Sequence, residues 1–179
     1  MKQLALGFVA LLALSHAAAA GTETEAINDY HEGLTVTLNG NVDLGIEYFT
    51  KAIDSGELPH DILVFAHNNR ANNYYLKGEY DLAIREYTKV LSLHPYYTNA
   101  LHYRGIIFNH QGQHQRAIQD FNKAIELRPD DPVVYGNRGF AWERLGKRQR
   151  AVQDYQRQYN MGNRPQWLVD RLKALGGLN

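Results

Sequence analysis

Asparagine and aromatic side chains are concentrated in one stretch of the sequence, FAHNNRANNYY at residues 65–75. Four asparagines fall within six residues, from Asn68 to Asn73. Asparagine is a poor helix former, costing roughly half a kcal/mol relative to alanine, so this density indicates a role other than helix formation. An amide offers both a donor and an acceptor, which match the N–H and C=O of an extended peptide, and aromatic rings add apolar contact area. The stretch therefore predicts peptide binding by hydrogen bonds; the alternative is that the amides cap, pack against loops or face water.

The residues that usually carry catalysis or bind metals do not form a recognisable group. His110 and His114 are four residues apart, but Gly112 is expected to end the helix between them, so they do not share a face. His102 and His110 lie two turns apart, yet the chain has no cysteine and no carboxylate pair near them. No glycine-rich phosphate loop and no nucleophile motif is present. The sequence predicts no enzyme activity, no metal and no cofactor.

A repeat runs through most of the chain. Gly78, Gly112 and Gly146 are spaced 34 residues apart, and Gly40 precedes them by 38 because SGEL is inserted before Pro59. A related block follows each glycine: NVDLGIEYFTKAI, EYDLAIREYTKVL, QHQRAIQDFNKAI and KRQRAVQDYQRQY. Self-similarity at this period indicates a helix–turn–helix unit that is repeated and stacked.

The repeated residues resemble the tetratricopeptide repeat family over roughly residues 26–165. With each repeat numbered 1 to 34, three positions are shared by all four copies: small residues at 8, small residues at 20 and aromatic residues at 24. They are Gly33, Ala71, Gly105 and Gly139; Gly45, Ala83, Ala117 and Ala151; and Phe49, Tyr87, Phe121 and Tyr155. Small residues let two antiparallel helices approach closely, and the aromatic fills the space beside them. We expect the position-15 glycines to adopt the left-handed conformation, and Asp131 followed by Pro132 to begin a helix.

Three repeats depart from the family in the same way. Position 7, usually a large aliphatic residue, is Arg70, Arg104 or Arg138, and position 23 is Glu86, Asp120 or Asp154. The two positions face each other across the hairpin. We therefore predict an ion pair in each of these repeats, bidentate where geometry allows. The first repeat has Glu32 and Tyr48 there and should lack the pair.

The resemblance also implies a binding surface. In this family the first helix of each repeat lines a concave groove through positions 2, 5, 9 and 12. These positions hold twelve candidate peptide-binding residues: Tyr30, Leu34, Phe65, Asn68, Asn72, Tyr75, Asn99, His102, Ile106, Asn109, Phe140 and Glu143. Gly136, at position 5 of the fourth repeat, is expected to leave a gap. Some relatives clamp a terminal carboxylate with lysine and asparagine, but Tyr30, Leu34 and Val133 stand in those places, so no clamp is expected.

The first twenty residues differ from the rest of the chain. Lys2 precedes the apolar run LALGFVALLAL, and Ala18–Ala20 resemble a peptidase site. This pattern is typical of a cleaved secretory signal, and the run is short for a bilayer span. We expect a mature chain from Gly21, located in the periplasm or secreted. Without cysteine there is no lipoprotein acceptor.

Charge is distributed unevenly along a chain whose formal net charge is zero. Residues 21–63 contain nine acidic residues against Lys51 alone, whereas residues 132–179 contain nine basic and three acidic residues. In one interpretation these are solvated faces; in another they drive weak head-to-tail association or steer the basic end to an anionic surface. Phosphate binding by the basic end is chemically feasible, but the expected export argues against nucleic acid as a partner.

The sequence as a whole predicts an all-α, right-handed α-solenoid. Four helix–turn–helix repeats are expected at about residues 26–63, 64–97, 98–131 and 132–164, within a domain spanning 21–165. A capping helix over 165–176 should cover the last repeat with Trp167, Leu168, Leu172 and Leu175, or serve as an interaction helix anchored by Trp167. The expected function is a non-catalytic adaptor in the cell envelope that holds an extended segment of a protein partner. The alternative is a structural module that self-assembles through its acidic and basic ends.

Overall fold

The computed structural model describes residues 21–178, which form helices joined by short turns and contain no strand. Helix α1 covers residues 21–38. The helices that follow are α2 (Val42–Asp54), α3 (His60–Leu76), α4 (Tyr80–Leu93), α5 (Thr98–His110), α6 (His114–Leu127), α7 (Pro132–Arg144), α8 (Arg148–Asn160) and α9 (Gln166–Ala174). The predicted signal segment, residues 1–20, lies outside the described residues. Within the described part, no helix has the length and apolar character needed to span a membrane.

The chain forms two compact units that divide between Val90 and Leu91, within α4. In the first unit, the aromatic rings of Tyr30 and Phe49 pack with Ala52 and Ala66 to form a buried core. In the second unit, Ala151 and Tyr155 pack with Leu168 and Leu172 of α9. Each unit therefore has a core of its own, built between paired helices.

Glycine ends the first helix of each hairpin, as predicted. Gly40, Gly78, Gly112 and Gly146 have φ values between 72° and 86°, the left-handed region that glycine adopts without a Cβ clash. At Gly112 the N–H of the next residue, Gln113, donates to the carbonyl of Phe108 at 2.8 Å. This bond closes a Schellman turn and satisfies a carbonyl at the helix end. The chain can then reverse into the second helix of the hairpin.

The predicted close approach of paired helices is confirmed. A Cβ built on Gly105 would lie 2.6 Å from a ring carbon of Phe121, and one on Gly33 would lie 2.7 Å from the ring of Phe49. Both rings are fully buried, and these short distances mean that each ring lies directly against the backbone of the opposite helix. In these two repeats the glycine at position 8 is therefore required by the packing of the hairpin.

The three predicted ion pairs are also confirmed, and each is bidentate. Nε and Nη2 of Arg104 donate to the two carboxylate oxygens of Asp120, both at 2.8 Å. Arg138 and Asp154 form the same fork at 2.8 and 2.7 Å, and Arg70 and Glu86 form it at 3.1 and 2.9 Å. The acid in each pair is at most 16% exposed. These pairs connect the two helices of one hairpin and are part of the scaffold.

The longer side chain of Glu86 reaches an additional partner. Its Oε2 also lies 2.8 Å from Nδ1 of His67, which is buried in the first unit. Burial alone would raise the pKa of Glu86, but hydrogen bonds from His67 and the charge of Arg70 outweigh it and lower the pKa below 4.5. His67 thus occupies a packed structural position.

Helix α9 packs against the last hairpin through two of its apolar residues. Leu168 and Leu172 are fully buried, and Leu175 packs at the edge of the same cluster. The expectation that Trp167 helps to cover the last repeat is wrong, because Trp167 is 53% exposed and contacts the Tyr155 ring edge-on, at 6.0 Å between centroids. The reason is helical geometry: Trp167 is one residue, or about 100°, away from Leu168 on the helix. The alternative, in which Trp167 anchors an interaction helix, stays a prediction.

Candidate functional site

A cleft of about 460 Å³ lies between helices α5 and α7 in the second unit. Both helices are the first of their hairpins, and the turn after α5 closes one end of the cleft. The residues lining it are Ile106, Asn109, His110, Gly112, His114, Asn137, Phe140 and Arg144. Three of them, Ile106, Asn109 and Phe140, are among the candidate groove residues named from the sequence.

Apolar surface in the cleft is provided by Ile106 and Phe140. Ile106 is half-buried, while Phe140 is 45% exposed although it lies in the middle of α7. The ring of His114 meets the ring of Phe140 edge-on, with centroids 6.3 Å apart. An exposed phenylalanine held in this way offers contact area to an apolar side chain of a partner at little conformational cost.

The polar groups of the cleft are fixed by hydrogen bonds to one another. Nδ2 of Asn109 donates to the backbone carbonyl of Asn137 at 3.0 Å, which determines the orientation of the amide. Oδ1 of Asn109 therefore points at Nδ1 of His114, 3.1 Å away, and must accept a hydrogen bond from it. As a result His114 carries its proton on Nδ1 in the neutral state, and Nε2 is the nitrogen that titrates.

Charge in the cleft is of one sign. Arg144, His110 and His114 line it, and none of its lining residues is acidic. Burial lowers the pKa of His114 below 6.5, and the positive charge of Arg144 lowers it further. His102, whose Nε2 is hydrogen-bonded to Asn137 at 2.8 Å, also has a lowered pKa, mainly from burial. At neutral pH the cleft is thus a polar and aromatic surface with one permanent cation, Arg144.

The candidate residues at position 5 lie inside their hairpins. Tyr30 is buried, with its ring 6.0 Å from that of Phe49, and His102 packs edge-on against Phe121 at 6.1 Å. Position 5 lies one turn before the small residue at position 8, so its side chain reaches the aromatic at position 24. The gap expected at Gly136 is filled from α8, because Oε1 of Gln158 lies where a Cβ would stand.

The asparagines of the first unit are largely engaged within the chain. Oδ1 of Asn72 accepts from the hydroxyl of Tyr87 at 2.6 Å. Asn73 donates to Thr37 at 2.9 Å. Asn68 is buried, and its Oδ1 has no hydrogen-bond partner among the described residues. The structure therefore differs from the expectation of a row of free amides, since the asparagines here mainly connect neighbouring helices.

The other candidates divide by position. Phe65 and Asn99, at position 2, are exposed, and Leu34 packs against the core of the first unit. Tyr75 is half-buried, 6.0 Å from the ring of Tyr80. Glu143 is engaged within the chain, because it accepts from the hydroxyl of Tyr155 at 3.0 Å and is paired with Arg171 of α9.

Five residues of the cleft were not among the candidates: His110, Gly112, His114, Asn137 and Arg144. A signal for two of them was present in the sequence. Asn137 and Arg144 stand three residues before and four residues after Phe140, which places them on the same helical face. Restricting the groove to four positions per helix omitted them. His114 belongs to the next helix, so its proximity could not be derived from one helical face.

The geometry does not suggest a metal centre. Within residues 21–178 no three histidine, aspartate or glutamate side chains are arranged to hold a metal ion.

The repeat architecture defines the class of the molecule as a tetratricopeptide repeat protein. The tetratricopeptide repeat family matches residues 64–97 and 98–131, the ranges of the second and third repeats named above. The fold is all-α, of the tetratricopeptide solenoid class.

Solved structures similar to this chain include a peptide-bound repeat domain and MamA. The first TPR of Spaghetti (RPAP3), bound to the HSP90 peptide SRMEEVD, is 26% identical with a TM-score of 0.60, covering 63% of this chain and 90% of its own. MamA is 21% identical with a TM-score of 0.69, and the match covers 78% of this chain and 79% of MamA. MamA from Desulfovibrio magneticus RS-1 is 15% identical with a TM-score of 0.77, and the match covers 84% of this chain and 82% of the MamA chain. Both MamA comparisons show similarity of fold. No curated protein matches this chain.

Proposed function

We propose that this protein is a non-catalytic adaptor that holds an extended segment of another protein in the cleft between α5 and α7. The observation that carries the proposal is the exposed ring of Phe140 beside Ile106, in a cleft where Asn109 and His114 are already hydrogen-bonded. The volume of about 460 Å³ is within the range of ligand pockets, about 300–1,000 Å³. Tetratricopeptide repeats typically serve as interaction modules, and the RPAP3 repeat domain was solved with a peptide bound.

The energetics of such a complex would rest on apolar contact more than on amides. Asn109 already uses one donor and one acceptor within the cleft, so it has little capacity left for a peptide backbone. Phe140 and Ile106 sit on helices whose opposite faces are buried, and the surface is therefore formed before the partner arrives. A preorganised surface loses little conformational entropy on binding.

The test is selection of a ligand followed by removal of the aromatic anchor. A library of random short peptides is selected on the immobilised full chain, and the affinity of enriched peptides is measured by fluorescence anisotropy. Phe140→Ala should weaken binding by about tenfold or more, as expected for a central aromatic contact. Tyr96→Ala is the matched control, because Tyr96 is an exposed aromatic of the same unit that does not line the cleft. Equal binding by wild type and Phe140→Ala would exclude the cleft as the site.

We further propose that the adaptor acts outside the cytoplasm, in the periplasm or after secretion. The support is the composition of residues 1–20, with Lys2 before an apolar run and four alanines at the end. N-terminal sequencing of the protein from a fractionated bacterial host should give Gly21 as the first residue. Recovery of the uncleaved chain from the cytosol would contradict export.

Self-assembly is the second candidate function, favoured by the charge distribution. Several basic residues between 132 and 179 are exposed, whereas the charged residues of segment 21–63 are acidic except for Lys51. Association between opposite ends would be electrostatic and would weaken as salt screens the charges. Sedimentation velocity at low and high salt tests this candidate, and a monomer under both conditions at high concentration would eliminate it.

A further inference from the structure

We infer that the segment held between α5 and α7 is acidic: it places an apolar side chain on Phe140 and Ile106 and a neighbouring carboxylate at Arg144 and His114. This inference rests on the proposed function and specifies the chemistry of the partner. It commits to a peptide, because the apolar part of the cleft suits a side chain better than a phosphate chain.

The first argument is the availability of Arg144. The arginines within the hairpins are neutralised, as Arg104 and Arg138 each form a fork with an aspartate. Arg144 is exposed at the end of α7 and has no acidic partner among the described residues. The acid next to it in sequence, Glu143, is paired with Arg171 instead. The cleft therefore contains a permanent cation that an incoming carboxylate can neutralise.

The second argument is that the cleft would oppose a basic segment. A cation on the ligand would meet Arg144, and no lining carboxylate is present to offset the repulsion. A neutral segment would gain only the contacts with Phe140 and Ile106. Specificity would thus come from attraction of acids together with rejection of bases, which is how charged interfaces discriminate between partners.

The third argument concerns protonation of His114. Its Nδ1–H is used by Asn109, so an added proton goes to Nε2. The charged group that acts on this ring is Arg144, which together with burial keeps the imidazole neutral at pH 7. A carboxylate bound nearby would favour the protonated ring and raise its pKa in the complex. Because the bound pKa would exceed the free pKa, binding of an acidic peptide should take up protons and strengthen as pH falls from about 7.5 to about 5.5.

The experiment uses the peptides that the random library enriches on the full chain. We expect these peptides to combine acidic residues with an apolar residue and to bind more weakly at high salt. Glutamine and lysine versions of the best peptide are then compared with it. The acidic version should bind about two- to fivefold more tightly than the glutamine version, the range expected for an exposed ion pair, and the lysine version should bind more weakly still.

Variants of the protein connect the preference to the cleft. Arg144→Gln should remove most of the advantage of the acidic over the glutamine peptide, whereas Arg150→Gln should not change it. Arg150 is a suitable control because it is exposed, stacks 4.6 Å from the Trp142 ring and lies outside the cleft. His114→Asn should reduce the gain in affinity on acidification. Circular dichroism of each variant verifies that the helices are intact.

The outcomes separate the inference from the proposed function. Enriched peptides that are neutral or basic, yet lose binding in Phe140→Ala, would overturn the acidic preference and leave the adaptor function standing. Acidic peptides that bind equally to wild type and Arg144→Gln would also overturn the inference. If none of the enriched peptides depends on Phe140 for binding, the proposed function itself would be overturned.

Discussion

Replacing Asp120 by asparagine should destabilise the protein by about 3–5 kcal/mol, the cost of leaving a buried charge without its partner. In the structure the side chain of Asp120 is 9% exposed and that of Arg104 is 18% exposed. Two charge-assisted hydrogen bonds of 2.8 Å connect them. The amide of the variant could accept at most one of these bonds, and the guanidinium would remain buried without a counter-charge.

Removing both charges should have a much smaller effect. In the double variant Arg104→Leu/Asp120→Ala no buried charge remains, and position 7 regains the aliphatic residue usual in this family. Replacement of buried ion pairs by apolar residues is often neutral or stabilising, by up to about 4 kcal/mol. The double variant should therefore recover most of the stability that Asp120→Asn loses.

Urea unfolding followed by far-UV circular dichroism at neutral pH measures both effects. Glu126→Gln is the control, since Glu126 is an exposed acid on the same helix, α6, and should change stability by less than about 0.5 kcal/mol. A loss below about 1 kcal/mol in Asp120→Asn would show that the pair is effectively hydrated. A double variant as unstable as the single one would show that packing, not charge, determines the result.

Three further predictions test the packing and electrostatics of single elements. Gly105→Leu should lower the urea midpoint markedly, because even a Cβ would stand 2.6 Å from a carbon of Phe121; an unchanged midpoint would refute the close approach. Leu168→Ala should cost about 2–5 kcal/mol and make α9 susceptible to limited proteolysis, since the side chain is fully buried; resistance equal to wild type would refute its capping role. The lowered pKa of Glu86 gives stability that is present above pH 4.5 and lost as pH falls through the folded-state value. Glu86→Gln, although less stable at pH 7, should therefore lose less on acidification, and equal losses in both proteins would contradict this.

The sequence by itself determined the architecture and the contacts within each hairpin. The 34-residue period, the position-15 glycines and the arginine–acid pairs are all properties of one repeated unit, and the paired residues are sixteen apart in the chain. Helical geometry alone decides that positions 7 and 23 face each other. It also decides that the small residue at position 8 opposes the aromatic at position 24. These features follow from a repeating local pattern, so they could be predicted without knowing how the units pack.

The tertiary structure decided which polar side chains remain available to a partner. Asn109 lies on the expected face, but its amide is used by the backbone of Asn137, 28 residues away. Glu143 likewise is paired with Arg171 from α9. Whether such a side chain is free depends on how far neighbouring helices are shifted along their axes. A shift of a fraction of a hydrogen-bond length, roughly 3 Å, is enough to make or break the contact. Helical periodicity assigns a residue to a face, but it carries no information about that offset, and for this reason the cleft and the availability of Arg144 emerged only from the packed helices.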